Sequence, residues 1–521
     1  MSCLGTRPQP TQTPRLITLH ERLFESAEAH PDAIALIAGD DTWTYCRLAR
    51  YVRKLSQGLS AQGLKPGDRV ALHLTNKPET VVAYYACMLT GMIAVPLNNR
   101  LTRAELERQL RRLQVSLYLG QIDLYGAIAG MDGSILDADR RFLVDGSSQS
   151  TGAKAWSELL EHPEDEVRLA LAHVDEPALL LSTSGTTGEP KFVTHTQRTV
   201  SAITRACQAV ASRPYDVALI AAPMMHGAGL VTVLATLATN GICVLLDRFE
   251  PAPALDLIER HRCTLLIWLP FMYAGAIAEQ IAQPRNVTSL GTCLVVGDTT
   301  PRGLQEEFLR VFGVRMRNVL AMSESMGTFT YGFDIGPVCR AVDMNRVRLV
   351  DAEGNTVRRG EAGELLLRGP NMFVGYWHGP GHIDDARKDG WWATGDVLRQ
   401  DEAGDFWYVA RKKNLIIRGG SNISPVEVED ALLVHRGVRE AAIVGVPDAV
   451  LGQRVIGFVE LTEGATQVEE VLLDLSTRVA SYKMPERLIV VDRLPRNSLG
   501  KVDRARLKAI GEQHLDSRRA T

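Results

Sequence analysis

Ser182-Thr183-Ser184-Gly185-Thr186-Thr187-Gly188-Glu189-Pro190-Lys191 concentrates hydroxyl side chains, two glycines and one lysine in ten positions. It follows Ala178-Leu179-Leu180-Leu181, a short apolar run that reads as a buried strand. A glycine- and hydroxyl-rich loop leaving a strand can aim backbone N–H and side-chain O–H donors at phosphate oxygens, and a lysine adds a compact positive charge for the same oxygens. The spacing differs from the common P-loop, in which Gly-Lys-Ser/Thr follows a first glycine by four residues; here Gly188 leads into Glu189-Pro190-Lys191. An exposed Ser/Thr/Gly linker is the plain alternative, so the remainder of the chain has to decide.

At 521 residues the chain is too long for one core, and about three or four folding units are expected. Apolar residues make up 45% and charged residues 23%, as in an ordinary globular enzyme, and the net charge of −3 gives no bulk-charge argument for nucleic acid or a membrane surface. Eight scattered cysteines without a CxxC pair indicate neither zinc nor a disulfide framework; buried reduced thiols are expected. Residues 1–15 are polar and proline-rich, without a secretory h-region, and read as a loose tail. No apolar run approaches a membrane span.

Strand and helix patterns alternate along the first half. A helix is expected from about Leu48 to Gln62, then strand Val70–Leu74, helix Pro78–Thr90 ended by Gly91, and strand Ile93–Pro96. The pattern resumes with strand Val217–Ala222, helix Leu230–Thr239, strand Ile242–Leu246, helix Ala254–His261 and strand Thr264–Leu269, which implies a second parallel sheet. From Val347 short strands such as Glu364–Arg368 alternate with Gly/Asp/Pro turns, the texture of a small antiparallel or barrel-like unit. The last hundred residues form an α+β pattern. Ser424-Pro425-Val426-Glu427 reads as a capping box opening a helix that Gly437 ends. Strands Ala441–Val446 and Val455–Leu461, a helix near Val468–Ala480 and strand Leu488–Val491 follow.

Ser-Gly-Thr-Thr-Gly-x-Pro-Lys resembles the phosphate loop of the adenylate-forming superfamily, and the resemblance runs in order from about Thr42 to Lys501. It implies an α/β fold: a large N-terminal domain (16–412) with two parallel-type sheets and a small β-barrel-like subdomain, then a small mobile α+β domain (413–521). It further implies that Thr183, Ser184, Gly185, Thr186, Thr187, Gly188 and Lys191 hold ATP phosphates. Val319-Leu320-Ala321-Met322-Ser323-Glu324 stands where the family has Tyr-Gly-x-Thr-Glu. Glu324 would hold magnesium, a hard ion suited to oxygen ligands; Ser323 keeps the hydroxyl, and Leu320, covering adenine, lacks the aromatic face of the family's tyrosine. Ala321 is a further departure, as is Phe192 where the family has glycine.

The same resemblance puts Gly297-Asp298-Thr299 against adenine and the acyl group. In Trp391-Trp392-Ala393-Thr394-Gly395-Asp396, Asp396 would accept hydrogen bonds from the ribose hydroxyls, as would be complemented by Arg411. Lys413 takes the hinge position, where a few torsions absorb a domain rotation. Gly419 and Gly420 would let the backbone approach a pantetheine arm. Lys501, in Pro495-Arg496-Asn497-Ser498-Leu499-Gly500-Lys501, would neutralise charge that builds on the α-phosphate.

His226, in Pro223-Met224-Met225-His226-Gly227, takes the place of the residue that gates the acyl pocket. Residues 223–236 contain no Asp or Glu, unlike relatives that activate amino acids, and Met224, Met225, Met322, Met326 and Trp268 suggest an apolar pocket or, equally, belong to the core. The expected activity is therefore ATP-dependent activation of an apolar (fatty or aromatic) carboxylic acid through an acyl-adenylate, then thioester formation with coenzyme A. Loading of an acyl carrier protein is the alternative acceptor, and a nucleotide-binding protein without catalysis is the alternative of another class. ATP, magnesium and coenzyme A are the implied cofactors and co-substrates, a cytoplasmic monomer or homodimer the implied setting, with no nucleic-acid partner.

Overall fold

The computed structural model describes residues 16–146, 152–162, 173–183, 190–297, 300–326, 330–332, 338–341, 343–418, 421–448, 450–462, 467–497 and 501–516. Its frame is two sheets packed across a shared set of helices. In the first, strands Pro177–Thr183, Ile93–Pro96, Arg69–His73, Leu117–Gly120, Arg141–Leu143 and Lys154–Ala155 run parallel in that spatial order. On the other side of Pro177–Thr183 the pairing turns antiparallel, through Lys191–Thr196, Gly375–Gly379 and His382–Asp384. The second sheet orders Met316–Asn318, Thr292–Val295, Leu265–Trp268, Val217–Ile220, Ile242–Leu245, Ile34–Ala38 and Asp41–Thr44. All its pairings are parallel except the last.

Helix Pro78–Thr90 shows how the sequence sets these elements. Proline at its first position suits the fixed φ of a helix start, and Gly91 ends it in the left-handed region at φ 71°. Almost every side chain of this helix is buried, as befits a helix apolar all round. It lies in the core that joins Val70, Leu72 and Leu179 of the first sheet to Ala218, Ile220 and Leu245 of the second. Polar ties reinforce the packing. Asn76 Nδ2 donates to Ile220 O, Ala222 O and Leu246 O, each at 3.1 Å, while its Oδ1 accepts from Met224 N at 2.8 Å. One asparagine after a strand of the first sheet thus satisfies the strand ends of the second. A second core covers the far face of the second sheet with helices Pro251–His261, Pro270–Ala282 and Arg302–Phe312, and a third covers the far face of the first with helix Arg103–Leu113.

A wholly antiparallel sheet follows, ordered Thr330–Tyr331, Val338–Ala341, Phe406–Arg411, Trp392–Gln400, Ala362–Leu367 and Val347–Val350. The C-terminal sheet pairs Ser421–Ile423, Ile416–Arg418, Gly452–Leu461 and Val438–Asp448, with Arg487–Val490 parallel to Gly452–Leu461.

Several expectations need correction. The helix opened at Ser424 stops at Leu433, short of Gly437, and only half of the capping box forms. Ser424 Oγ accepts from Glu427 N at 3.2 Å, but the Glu427 carboxylate turns to Lys483 Nζ at 2.5 Å, an ion pair displacing the weaker bond to the cap. A closing helix, Arg504–Asp516, was not anticipated. Cys46 is exposed, whereas the other described cysteines are free and buried as expected.

Candidate active site

The carboxyl ends of both sheets' strands open on one cleft, the usual ligand position in open α/β sheets. Thr183 ends one strand, Pro223 and Met225 follow another, Gly297 follows a third and Asn318–Glu324 a fourth; all line the cleft. From the C-terminal part Lys501, Arg504 and Asp430 reach the same cleft. The structure therefore brings Thr183, Lys191, His226, Gly297, Leu320, Ser323, Glu324, Asp396, Arg411, Lys413 and Lys501 around one space. Ser184, Gly185, Thr186, Thr187, Gly188, Asp298, Thr299, Gly419 and Gly420 lie outside the described residues.

Thr183 and Lys191 face each other across the hairpin, with Thr183 Oγ1 donating to Lys191 O at 3.4 Å. Lys191 Nζ stands 4.6 Å from the centroid of the Tyr376 ring, a cation–π distance. The Tyr376 hydroxyl donates to Glu324 Oε1 at 2.9 Å. Burial pushes the Glu324 carboxyl above its ordinary pKa; the Tyr376 hydrogen bond and the charges of Arg411 and Lys191 oppose that shift. The backbone of this acid is also held, because Phe373 N donates to Glu324 O at 2.8 Å.

Asp396 is 2% exposed. Its cross-strand partner in register is Arg411, whose Nε lies 2.9 Å from Asp396 Oδ1. Tyr408 donates to the same oxygen at 3.3 Å, and Asp396 N donates to Thr394 Oγ1 at 2.9 Å. Arg411 Nη1 donates to Thr394 O at 2.9 Å. Between them Gly395 takes φ 73°, a left-handed turn that glycine adopts at least cost. Burial raises the Asp396 carboxyl above its ordinary value, with Arg411, Tyr408 and Lys501 pulling it back.

His226 caps helix Gly227–Leu237 through its backbone, leaving the ring at the cleft. Burial, with Arg100 and Lys501 nearby, pushes its pKa down to about 4, so the imidazole is neutral near pH 7. Lys501 is exposed and tied to Asn497 by two hydrogen bonds: Lys501 N donates to Asn497 Oδ1 at 3.1 Å and Asn497 N to Lys501 O at 2.8 Å. Its charge acts on both His226 and Asp396, and all three line the same cleft. Lys413 is exposed in the short turn Lys412–Asn414, and burial of its stem with Arg411 nearby lowers its pKa.

The apolar part of the cleft is lined by Met225, Val231, Leu269, Leu294, Met322 and Met326, with Leu320 and Ala321 at its rim. Two residues expected here belong elsewhere: Met224 is buried in the central core, and Trp268 is buried on the far face of the second sheet against Tyr273. Strand alternation and the turn after it send those side chains away from the cleft. Phe192 likewise points away from Lys191, into the third core, with the Arg112 guanidinium 5.1 Å from its ring centroid. Sequence reasoning missed Tyr376, Tyr408 and Arg100. Tyr376 and Arg100 are distant in sequence from the groups they serve, and Tyr408 reaches Asp396 only through the register of two neighbouring strands.

Among the described residues no cluster of three or more His, Cys, Asp or Glu could hold a metal ion by itself. Glu324 nevertheless fits magnesium: one oxygen is held by Tyr376, and the ion characteristically completes its shell with phosphate oxygens and water.

The model of AMP-binding enzymes matches residues 23–377, and that of the AMP-binding enzyme C-terminal domain matches residues 427–501. The chain belongs to the AMP-binding enzyme family. The medium-chain fatty-acid–CoA ligase of Escherichia coli (strain K12) is 32% identical over 93% of this chain and 88% of its own length. The feruloyl-CoA synthase of an Amycolatopsis species is 33% identical over 91% and 95%. Among solved structures, o-succinylbenzoate CoA synthetase of Bacillus subtilis, in complex with its acyl-adenylate intermediate, superposes with a TM-score of 0.78 at 27% identity, covering 94% of this chain and 97% of the other. The AMP-binding enzyme fold accounts for the paired sheets, the antiparallel sheet and the separate C-terminal sheet described above.

Proposed function

We propose that this AMP-binding enzyme is an AMP-forming acid–thiol ligase acting on an apolar carboxylic acid, with coenzyme A as acceptor. The observation that carries the reading is the meeting of Lys501 with Asp396 and His226 in a cleft that also holds Glu324 and Lys191. The relatives named as fatty-acid, feruloyl and succinylbenzoate CoA ligases support both the reaction class and an apolar acid.

In the first step the substrate carboxylate attacks the α-phosphorus of ATP, a new P–O bond forms and pyrophosphate leaves. Asp396 and Arg411 hold the ribose, Lys191 and the Ser184–Gly188 loop hold phosphates, and Lys501 balances charge that grows on the transferring group. Glu324 would hold magnesium, which would supply charge neutralisation on the phosphates. Neutral His226 offers the incoming carboxylate a hydrogen-bonding edge without trapping it in an ion pair. The second step is attack of a thiol on the acyl carbon, with AMP as leaving group. We assign residues 16–412 to a domain carrying ATP and acyl sites and 413–521 to a domain that turns about Lys413, bringing Gly419 and Gly420 to the thiol. A cytoplasmic location accords with this use of ATP and coenzyme A.

Acid-dependent ATP–pyrophosphate exchange over fatty, aromatic, dicarboxylic and amino acids tests the reading. Exchange with apolar acids, reduced at least 100-fold in Lys501→Ala with ATP binding retained, is the expected result. ATP binding without exchange for any acid would sink it in favour of a non-catalytic nucleotide-binding protein. Transfer to an acyl carrier protein in preference to coenzyme A would change the acceptor alone.

A further inference from the structure

The strand Lys191–Thr196 leaves the phosphate loop with Lys191, Val193 and His195 on one face and Phe192, Thr194 and Thr196 on the other. The faces are distinguished by packing, since Val193 joins the central core and Phe192 the third core. His195 is fully buried. Its Nε2 lies 2.9 Å from Ser323 O, and its Nδ1 lies 3.3 Å from Thr199 Oγ1. A carbonyl can only accept, so the hydrogen is on Nε2 and the neutral ring donates it to Ser323. Burial lowers the pKa of His195 to about 4, which keeps that neutral form across the working pH range.

Ser323 immediately precedes Glu324. One strand therefore reaches the Glu324 turn twice: at its start through Lys191 and the Tyr376 ring, whose hydroxyl holds the carboxylate, and four residues later through His195, which holds the backbone. The separation of the two anchors is about 13 Å along the strand. Met326, in the same turn, has φ 47°, a left-handed conformation unusual for a residue with a side chain.

We infer that His195 is a positioning residue for the magnesium-binding carboxylate, fixing through the Ser323 carbonyl the distance between Glu324 and Lys191. The inference rests on the proposed reading of Glu324 as a magnesium ligand. His195 touches neither substrate nor metal; it acts through the turn. Ties of this kind to metal-ligand groups are typically worth 10–100-fold in metal affinity or activity.

The test is calorimetric titration of ATP into the full chain, with saturating magnesium and with EDTA, for the native protein and for His195→Leu, His195→Gln and His195→Asn. Glutamine places an amide N–H at nearly the reach of Nε2, whereas leucine has no donor and the asparagine amide is too short. The expected result is that magnesium tightens ATP binding in the native protein and in His195→Gln, and that this gain falls about tenfold in His195→Leu and His195→Asn, while affinity for metal-free ATP is unchanged. Equal magnesium gain in all four proteins would overturn the inference, as would equal loss of metal-free ATP affinity in every variant. If His195→Leu fails to fold, the contrast between His195→Gln and His195→Asn decides by the same criteria. A native protein that binds ATP with no gain from magnesium would instead overturn the reading of Glu324 on which the inference stands.

Discussion

Glu324 and Asp396 face the same difficulty, since burial opposes the charge that each needs. Their remedies differ. Asp396 has a cation in register across the strand pair, so its charge is compensated within the protein. Glu324 has a neutral phenol donor in contact and its cations further off. Tyr376→Phe removes the largest influence that lowers the Glu324 pKa, and the carboxyl then binds its proton more tightly. The sign follows directly: the pKa is already raised, so the acid limb of the exchange–pH profile moves further upward in pH. Exchange on the acid side of the profile should fall and recover as the pH is raised. An unmoved acid limb would show that the hydroxyl does not act through Glu324.

The hairpin made by Pro177–Thr183 and Lys191–Thr196 is the element on which the phosphate loop depends. Phe192 anchors its second strand in the third core, beside Leu180, Tyr118 and Trp377. Phe192→Ala should cost about 3–5 kcal/mol of stability by leaving a cavity, seen as an earlier thermal transition, and should weaken ATP binding as the strand end loosens. Phe192→Leu should cost appreciably less. Elements with both ends marked were legible in the sequence: proline and glycine bounded helix Pro78–Thr90 to the residue. The strand Lys191–Thr196 was not, because Lys-Phe-Val-Thr-His-Thr mixes polar and apolar residues on a face that is polar only where it serves the site. The motif residues Lys191, Glu324, Asp396, Arg411 and Lys501 were identifiable from their local context. Tyr376 and His195 were not, since their importance arises only when segments far apart in sequence meet, and Tyr408 was not, since its role depends on the register of two neighbouring strands.

Over the whole molecule, the C-terminal part meets the larger body through helix Pro425–Leu433 on strand Phe406–Arg411, with Ser424 Oγ donating to Val409 O. Two acids on that helix reach the cleft. Glu429 is paired with Arg504. Its neighbour Asp430 is half-buried, and burial together with the Glu429 charge pushes its pKa up to about 7. A raised carboxyl pKa means that this arrangement of the two parts holds a proton more tightly than one in which Asp430 meets water. It is accordingly most stable below about pH 4 and loses stability as the pH rises from about 4 through 7. Asp430→Asn should flatten the ratio of pyrophosphate exchange to thioester formation between about pH 5 and pH 7. A ratio with unchanged slope would mean that Asp430 stays equally buried when the parts rotate.

The strand order has a consequence for dividing the gene. Gly375–Gly379 lies far along the chain, yet it pairs with Lys191–Thr196 and covers an edge that would otherwise carry free amide and carbonyl groups. A fragment cut between the second sheet and Gly375 would expose that edge beside Lys191, an invitation to strand-to-strand self-association and insolubility. A cut near Lys412 severs no sheet, because the C-terminal sheet is assembled wholly from residues beyond it. Split expression and fragment complementation should therefore succeed at that junction and fail at earlier ones.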